Sequence, residues 1–228
     1  MIPEIKITTE FPDSLQDLIA ATLKYYPVGF DIPNTQYSGY QNLLKIIEQK
    51  IDLLIDQKLP DECEALVKSV RESFGDYAII TEFERQFPNY CLTIKLLHKD
   101  LDEISIYYYL KLKISLLTNY FTIFYNELIH HKNIPAWPGR FVPLRTSVIS
   151  SNIMLVDQEQ KYLNILAAIV KECFPNYTFV NHRLLFNRRV RYGTPHGMED
   201  NNLTIQYPLY NFLFDNDHTI SPDTIIAF

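Results

Sequence analysis

The stretch Ile104–Leu116 reads Ile-Ser-Ile-Tyr-Tyr-Tyr-Leu-Lys-Leu-Lys-Ile-Ser-Leu and decides the fold class of this chain. Its even-numbered positions carry only Ile, Leu or Tyr, while its odd-numbered positions carry Ser, Tyr or Lys. A strand points successive side chains to opposite faces, so this alternation places one set on a buried face and the other toward water. The stretch therefore predicts a long strand of an antiparallel sheet with one solvated face.

The segments on either side supply partners for this strand. Tyr90–His98 alternates in the same way, and the polar residues 99–103 form a short reversal, which predicts an antiparallel hairpin. A second reversal leads into another strand, Tyr120–Asn126. The apolar residues of 110–130 also fit a heptad spacing, so a helix is the competing interpretation there. The β-branched and aromatic residues of this region favour strands.

The first third of the chain has helical periodicity instead. Apolar residues recur at helical spacing in three segments, each followed by Pro or Gly: 13–26, 38–59 and 61–74. A fourth segment of this kind, 157–174, follows the long connection 130–152 and ends before Pro175. These four segments predict amphipathic helices that bury one face each.

We expect one compact α+β domain, 1–228, in which a helical layer packs on a mainly antiparallel, twisted sheet. In chain order it comprises a helix-rich part (13–75), a sheet-rich part (77–150), a helix (157–174) and a final series of strands (177–228). Shorter strands are expected at Ile5–Thr8, 77–83, 146–150, 177–180, 182–192 and 203–214. The apolar tail 224–228 is expected to dock on the domain, since its exposure would be unfavourable.

The bulk composition is that of an ordinary globular protein, with 47% apolar residues, 21% charged residues and a net charge of -6. An acidic chain lacks the basic footprint for nucleic acid, so no nucleic-acid partner is expected. No signal peptide and no membrane span are recognisable. Cys63, Cys91 and Cys173 are too widely spaced for a disulfide framework or a zinc motif. These features predict a cytoplasmic protein without membrane contact.

Four arginines within nine residues stand out in this acidic chain, in the segment 182–192. As a strand, the segment would place Arg183, Arg189 and Arg191 on one face. Guanidinium groups bind carboxylates and phosphates through paired hydrogen bonds, which predicts an anion or acidic-partner site. The alternative is a solvated strand face that pairs with the chain's own surplus of Asp and Glu.

The turn 193–200 contains His196, Glu199 and Asp200, residue types suited to acid–base chemistry or metal coordination. A metal site needs further ligands that nothing in the sequence positions. No metal and no cofactor are therefore predicted, and a polar loop with a titrating histidine is the simpler interpretation.

Three aromatic residues are candidate partner contacts. Tyr107 and Tyr109 stand on the side of the central strand that the alternation turns toward water. Trp137, the only tryptophan, lies between two prolines and is either a packing residue or, if exposed, a binding hot spot. A tyrosine side chain buries apolar area while keeping a polar tip, which suits both half-buried sheets and partner surfaces.

No nucleophile elbow, P-loop, dinucleotide fingerprint, H-E-x-x-H or C-x-x-C motif occurs in the chain. This absence favours a non-catalytic binding protein over an enzyme. The acidic, Tyr-rich composition is typical of an inhibitor or immunity-type protein that neutralises a basic protein partner. Self-association through the long strand is a further alternative. The runner-up is an enzyme or ligand-binding domain that acts on a small anionic substrate through an Arg/His cluster.

Overall fold

A long, mainly antiparallel sheet forms the centre of the fold. The computed structural model describes residues 13–132, 145–150, 159–198, 205–217 and 224–226. The strands are β1 (Ala78–Thr81), β2 (Asn89–Asp100), β3 (Ile104–Ser115), β4 (Tyr120–His131), β5 (Arg145–Ser150), β6 (Thr178–Phe179), β7 (Arg189–Val190), β8 (Tyr207–Pro208) and β9 (Thr224–Ile226). The main sheet has the order β1-β2-β3-β4-β5-β9, with β6 also beside β4, and β7 pairs with β8 separately. Among the described strands, only the β4–β6 and β5–β9 pairs are parallel.

The stretch that begins at Ile104 is the central strand β3, as its alternation predicts. Leu110 pairs with Ile94 of β2 on one side and with Tyr125 of β4 on the other. All three side chains are fully buried. The helical alternative for 110–130 is therefore wrong, and the β-branched and aromatic residues of this region occupy β3 and β4.

The described residues form six α-helices and a short 3-10 helix at Asn34–Gln36. The helices are α1 (Asp13–Tyr25), α2 (Ser38–Ile55), α3 (Asp61–Ser73), α4 (Glu159–Cys173), α5 (His182–Asn187) and α6 (Leu209–Leu213). The first four correspond to the four helices that the apolar periodicity predicts. Together with the sheet they make one compact α+β domain.

Helices α3 and α4 pack against each other and cover one face of the sheet, called here the first face. Leu66 and Val70 of α3 and Leu166 of α4 are fully buried in one core with Leu112 and Ile123 of the sheet. The inward residues of α3 recur at three- and four-residue spacing, which is the apolar stripe expected of a helix on a sheet.

Among the described residues, helices cover only one half of the opposite, second face, and the other half is called here the uncovered half. There the rings of Phe186 in α5 and Tyr210 in α6 pack on Phe124 of β4, with centroid distances of 5.9 and 6.1 Å. The hydroxyl of Ser115 donates to the carbonyl of Leu213 at 2.9 Å. Helix α1 contacts both α6 and α2. The two longer helices, α1 and α2, therefore form an outer layer over the short helix α6. The solvated face predicted from β3 is thus limited to the other half.

Two segments predicted as continuous strands, 182–192 and 203–214, each contain a short helix. Among their described residues the strand prediction is confirmed only at β7 and β8, and it is wrong where α5 and α6 form. His182, Leu185 and Phe186 are all buried in α5. Their spacing puts them on one helical face, while a strand would send Leu185 and Phe186 to opposite sides. The side chain of Asn181 caps α5 by accepting from the N–H of Arg183 at 2.9 Å.

The apolar tail docks on the sheet through its backbone. Residues 224–226 form β9 and pair with β5, in agreement with the expected docking of this tail. The strand expected at 146–150 is β5, whereas the one expected at Ile5–Thr8 lies outside the described residues.

Among the described helices, none combines the length and apolar character needed to cross a bilayer.

A buried ionic network fixes the segment after α6 to the second face of the sheet. Lys113 of β3 is 0% exposed, and its Nζ lies 2.6 Å from Asp215 Oδ2 and 3.2 Å from Asp217 Oδ2. Asp215 also accepts hydrogen bonds from Asn89 Nδ2 at 3.0 Å and from Tyr210 Oη at 2.8 Å. Burial by itself lowers the pKa of Lys113, but the attraction of Asp215 raises it well above its ordinary value. The ammonium therefore stays charged.

Removing this ammonium should destabilise the fold strongly. Lys113→Met leaves Asp215 buried without its cation, so we expect the free energy of unfolding to fall by about 3–5 kcal/mol. Urea denaturation followed by circular dichroism measures the loss. Lys111→Met is the matched control, because Lys111 lies on the same face of β3 but is only half-buried, and its cost should stay below about 1 kcal/mol. Equal costs for the two variants would contradict a structural role for the network.

Candidate partner-binding surface

The uncovered half of the second face carries a cluster of aromatic and basic side chains. Lys95 of β2 pairs with Tyr109 of β3, and His98 pairs with Tyr107. Strand β4 adds His130, and Lys111 lies at the border with the covered half. We call this set the tyrosine face: Lys95, His98, Tyr107, Tyr109, Lys111 and His130. All six are half-buried or exposed.

The rings of the tyrosine face stack on one another. The His98 and Tyr107 rings are parallel within 4° with centroids 4.3 Å apart, and the Tyr107 and Tyr109 rings are 6.3 Å apart and within 8° of parallel. The ring of His130 lies 5.2 Å from Tyr107, and Lys95 Nζ lies 5.4 Å from the centre of the same ring. These contacts hold the rings in place before any partner arrives, which reduces the entropy lost on binding.

A β-bulge in β2 brings His98 onto this face. The register shifts between Lys95 and Leu97, so that Leu97 lies opposite Tyr108 and His98 lies opposite Tyr107. In an unbroken ladder His98 would point to the first face, because side chains alternate. The sequence reasoning missed His98 for this reason. The signal was the doublet Leu96-Leu97, which breaks the alternation of the strand.

The tyrosine face is locally basic in an acidic chain. Three carboxylates lie near it, and all have partners: Glu82 accepts from Cys91 and Thr93, Asp100 accepts from Ser105 and pairs with Lys132, and Asp217 pairs with Arg85 and Lys113 and is also attracted by Lys111. Burial, and to a smaller degree the neighbouring Tyr107, raise the pKa of Tyr109. Its hydroxyl is therefore protonated at neutral pH and can donate a hydrogen bond. The face offers ammonium groups, a hydroxyl donor and apolar ring area to a partner.

The arginines nominated from the sequence do not share a strand face. Arg183 lies in α5, whereas Arg189 lies in β7 and Arg191 follows it. Arg189 Nη1 donates to the carbonyl of Gln206 at 3.2 Å. The side-chain oxygen of Gln206, in the amide orientation that satisfies both groups, accepts from Arg191 Nε at 2.9 Å and Nη2 at 3.2 Å. Two of the three guanidinium groups thus bind the same residue of the chain itself.

His196 has both ring nitrogens engaged. Its Nδ1 lies 2.7 Å from the hydroxyl of Tyr40, and its Nε2 lies 3.1 Å from the carbonyl of Gln86. The neutral tautomer with the proton on Nε2 satisfies both contacts, and burial lowers the pKa of this histidine. His196 therefore ties the loop after β7 to α2 and to the β1–β2 connection, a structural role.

Other candidates from the sequence lie outside the described residues: Trp137, Glu199 and Asp200. Within the described part of the chain, no three His, Cys, Asp or Glu side chains converge in a way that would hold a metal ion. Searches against protein-family models, curated proteins and solved structures find no match to this chain.

His182 is a buried histidine of a different kind. It is 1% exposed, and neither ring nitrogen has a hydrogen-bond partner among the described residues. The ring lies 6.2 Å from Phe124. Burial, with a smaller contribution from Arg183, lowers its pKa to about 4. The folded protein therefore holds this imidazole neutral across the range in which a free histidine becomes protonated.

Acidification should destabilise the protein through His182. Above pH 6.5 both the folded and the unfolded chain carry it neutral, and between pH 6.5 and about 4 only the unfolded chain binds the proton. Stability is thus lost as the pH falls, by about 2 kcal/mol between roughly pH 7.5 and pH 5. Urea denaturation at both pH values measures the change. His182→Phe should remove this part of the pH dependence, and an unchanged slope in the variant would contradict the assignment.

Proposed function

We propose that the protein is a non-catalytic binding protein that holds a protein partner on the tyrosine face. The observation that carries the proposal is the ordered ring stack of His98, Tyr107 and Tyr109 on an uncovered half of the sheet. Tyrosine is enriched among interface residues that dominate binding energy, and rings already held in place lose little conformational freedom. Free cysteines and the composition support a cytoplasmic location as part of the same proposal.

The chemistry of the described residues supports binding more than catalysis. Burial raises the pKa of Cys63 to about 12 and that of Cys91 to about 11, so neither thiol is a nucleophile at neutral pH. The Arg/His cluster that would serve a small anionic substrate is not assembled, since Arg189 and Arg191 both bind Gln206 and His196 is held by Tyr40 and Gln86.

The lysines of the tyrosine face determine which partner chemistry suits it. Lys95 and Lys111 stand beside rings and hydroxyls, and the flanking carboxylates are already paired. Electrostatic complementarity favours a partner surface that brings Asp or Glu to these ammonium groups. The net charge of -6 suggests a basic partner. Such a partner would instead suit an acidic surface, such as the exposed side of α2 with Glu48, Asp52 and Asp56. An inhibitor-like role through that surface stays a prediction.

Charge reversal on the tyrosine face should remove the partner. With immobilised full-length protein and lysate from the source cells, we expect Lys95→Glu/Lys111→Glu to recover at least about tenfold less of the specific partner, roughly 1.4 kcal/mol. Quantitative mass spectrometry measures the recovery. Lys24→Glu/Lys45→Glu is the matched control. It changes the net charge by the same amount at exposed positions of α1 and α2, so it should recover the partner as the unmodified protein does.

Three results would count against the proposal. The first is equal recovery by the two double variants, once circular dichroism shows that both are folded. The second is a partner whose affinity for the purified protein does not fall as salt is raised, because contacts between exposed charges are screened by salt. A captured nucleic acid in place of a protein would also contradict the proposal.

A further inference from the structure

Strand β1 leaves one edge of the main sheet unpaired within the described residues, since β2 is its only strand neighbour there. The phase of its hydrogen bonds follows from Glu82, whose N–H donates to the Cys91 carbonyl at 2.9 Å. In an antiparallel pair, every second residue directs its N–H and C=O to the partner. Ala78 and Ile80 therefore point their backbone groups at β2, and Ile79 and Thr81 point theirs outward.

The strand β1 is short, but its sequence lacks the charged residue or proline that often protects an edge strand. It reads Ala-Ile-Ile-Thr, with no charged residue and no proline. Natural edge strands commonly carry Lys, Pro or an inward-pointing charge that discourages pairing with another chain. Ile80 remains 47% exposed. An uncharged, β-branched edge with free backbone groups is a template for an added strand.

A groove lies beside this edge on the first face of the sheet. Its volume is about 420 Å³, and it lies between α3 and the end of β1. Its apolar lining comes from Leu59, Val67 and Phe83, together with Thr81 of the edge itself. The side chains of Ile79 and Thr81 point to this face, because these residues pair with Ile94 and Leu92 of the core. Every second side chain of an added strand would therefore turn toward the groove.

Charged side chains of α3 line the groove as well. Glu64, Lys68, Arg71 and Glu72 are spaced so that they share one side of the helix. None of the four forms an ion pair within 4.0 Å among the described residues. An apolar floor with charges of both signs around it resembles the organisation of a peptide-binding cleft, in which the floor gives affinity and the rim gives specificity.

We infer that an extended peptide segment of a partner adds to the outer edge of β1 as a further strand and places an apolar side chain in the groove beside α3. The outward N–H and C=O groups of Ile79 and Thr81 hold its backbone, which is why the occupant is extended. The groove selects the side chain. This site lies on the first face, so it is separate from the tyrosine face and does not depend on the function proposed for it.

The test uses random displayed peptides of about ten residues, the upper end of ordinary strand length, selected on the full-length chain. Enriched peptides are then titrated by fluorescence anisotropy. Thr81→Pro removes an outward N–H and places a ring in the path of the added strand while keeping the bonds to β2, so binding should weaken by at least about tenfold. Val67→Phe fills the groove and should also weaken binding. Ile80→Thr keeps the outward groups and the groove, and should bind as the unmodified chain does.

Each other outcome overturns the inference. Failure to enrich any peptide would do so, as would peptides that bind Thr81→Pro and Val67→Phe as tightly as the unmodified chain. If Thr81→Pro does not fold, Val67→Phe alone decides. Peptides lost with Lys95→Glu/Lys111→Glu instead would belong to the tyrosine face. A dimer in analytical ultracentrifugation that Thr81→Pro abolishes would show that a second copy of this chain occupies the edge.

Discussion

The packing of the second face depends on the buried ammonium group of Lys113. An ammonium group inside a sheet is strongly unfavourable unless carboxylates neutralise it and the remaining hydrogen bonds are satisfied. Lys113 meets this requirement through Asp215 and Asp217, which lie two residues apart in the segment after α6. Asp217 also pairs with Arg85 at the far edge of the network. The segment after α6 must therefore cross the sheet at Lys113, and this crossing sets where α6 can lie.

That crossing also divides the second face of the sheet. Lys111 and Lys113 are the same residue type, two positions apart and on the same side of β3. Lys113 is fully buried and Lys111 is half-buried. On β4 the covered part reaches further, because Phe124, which pairs with Lys111, is fully buried in a second core with Phe186 and Tyr210. On β3 the tyrosine face begins at Lys111, directly after the ionic network.

The sequence predicted what depends on neighbouring residues along the chain. Helices α1 to α4 and strands β1 to β4 follow from periodicity and from the turns between them. Periodicity could not predict helix α5, because its buried residues, His182, Leu185 and Phe186, span one turn only. The four arginines nearby suggested a strand instead. The difference between Lys111 and Lys113 depends on Asp215, about a hundred residues later. Long-range ionic pairing leaves no periodic signal.

The residues of the candidate site show the same difference between local and long-range information. Tyr107 and Tyr109 were predicted to face water because strand alternation is a local property, and the structure places both on the uncovered half. His98 required a bulge in β2, and His130 required the register of β4 against β3. The grouping of Arg183 with Arg189 and Arg191 failed because it assumed a strand where Asn181 starts a helix.

Unequal element lengths explain why sheet surface remains for binding at all. Strands β2, β3 and β4 have 12 residues each, which is roughly 40 Å at the usual rise. Helices α3 and α4 are roughly 20 Å long, and α5 and α6 are under about 10 Å. Two helices side by side therefore cannot cover the full length of either face. The sequence places lysines, histidines and tyrosines on the uncovered half of the second face, where an apolar strand would be a liability. Water can solvate the ammonium groups of the lysines and the exposed His98 in the free protein, and the same groups remain available to a partner.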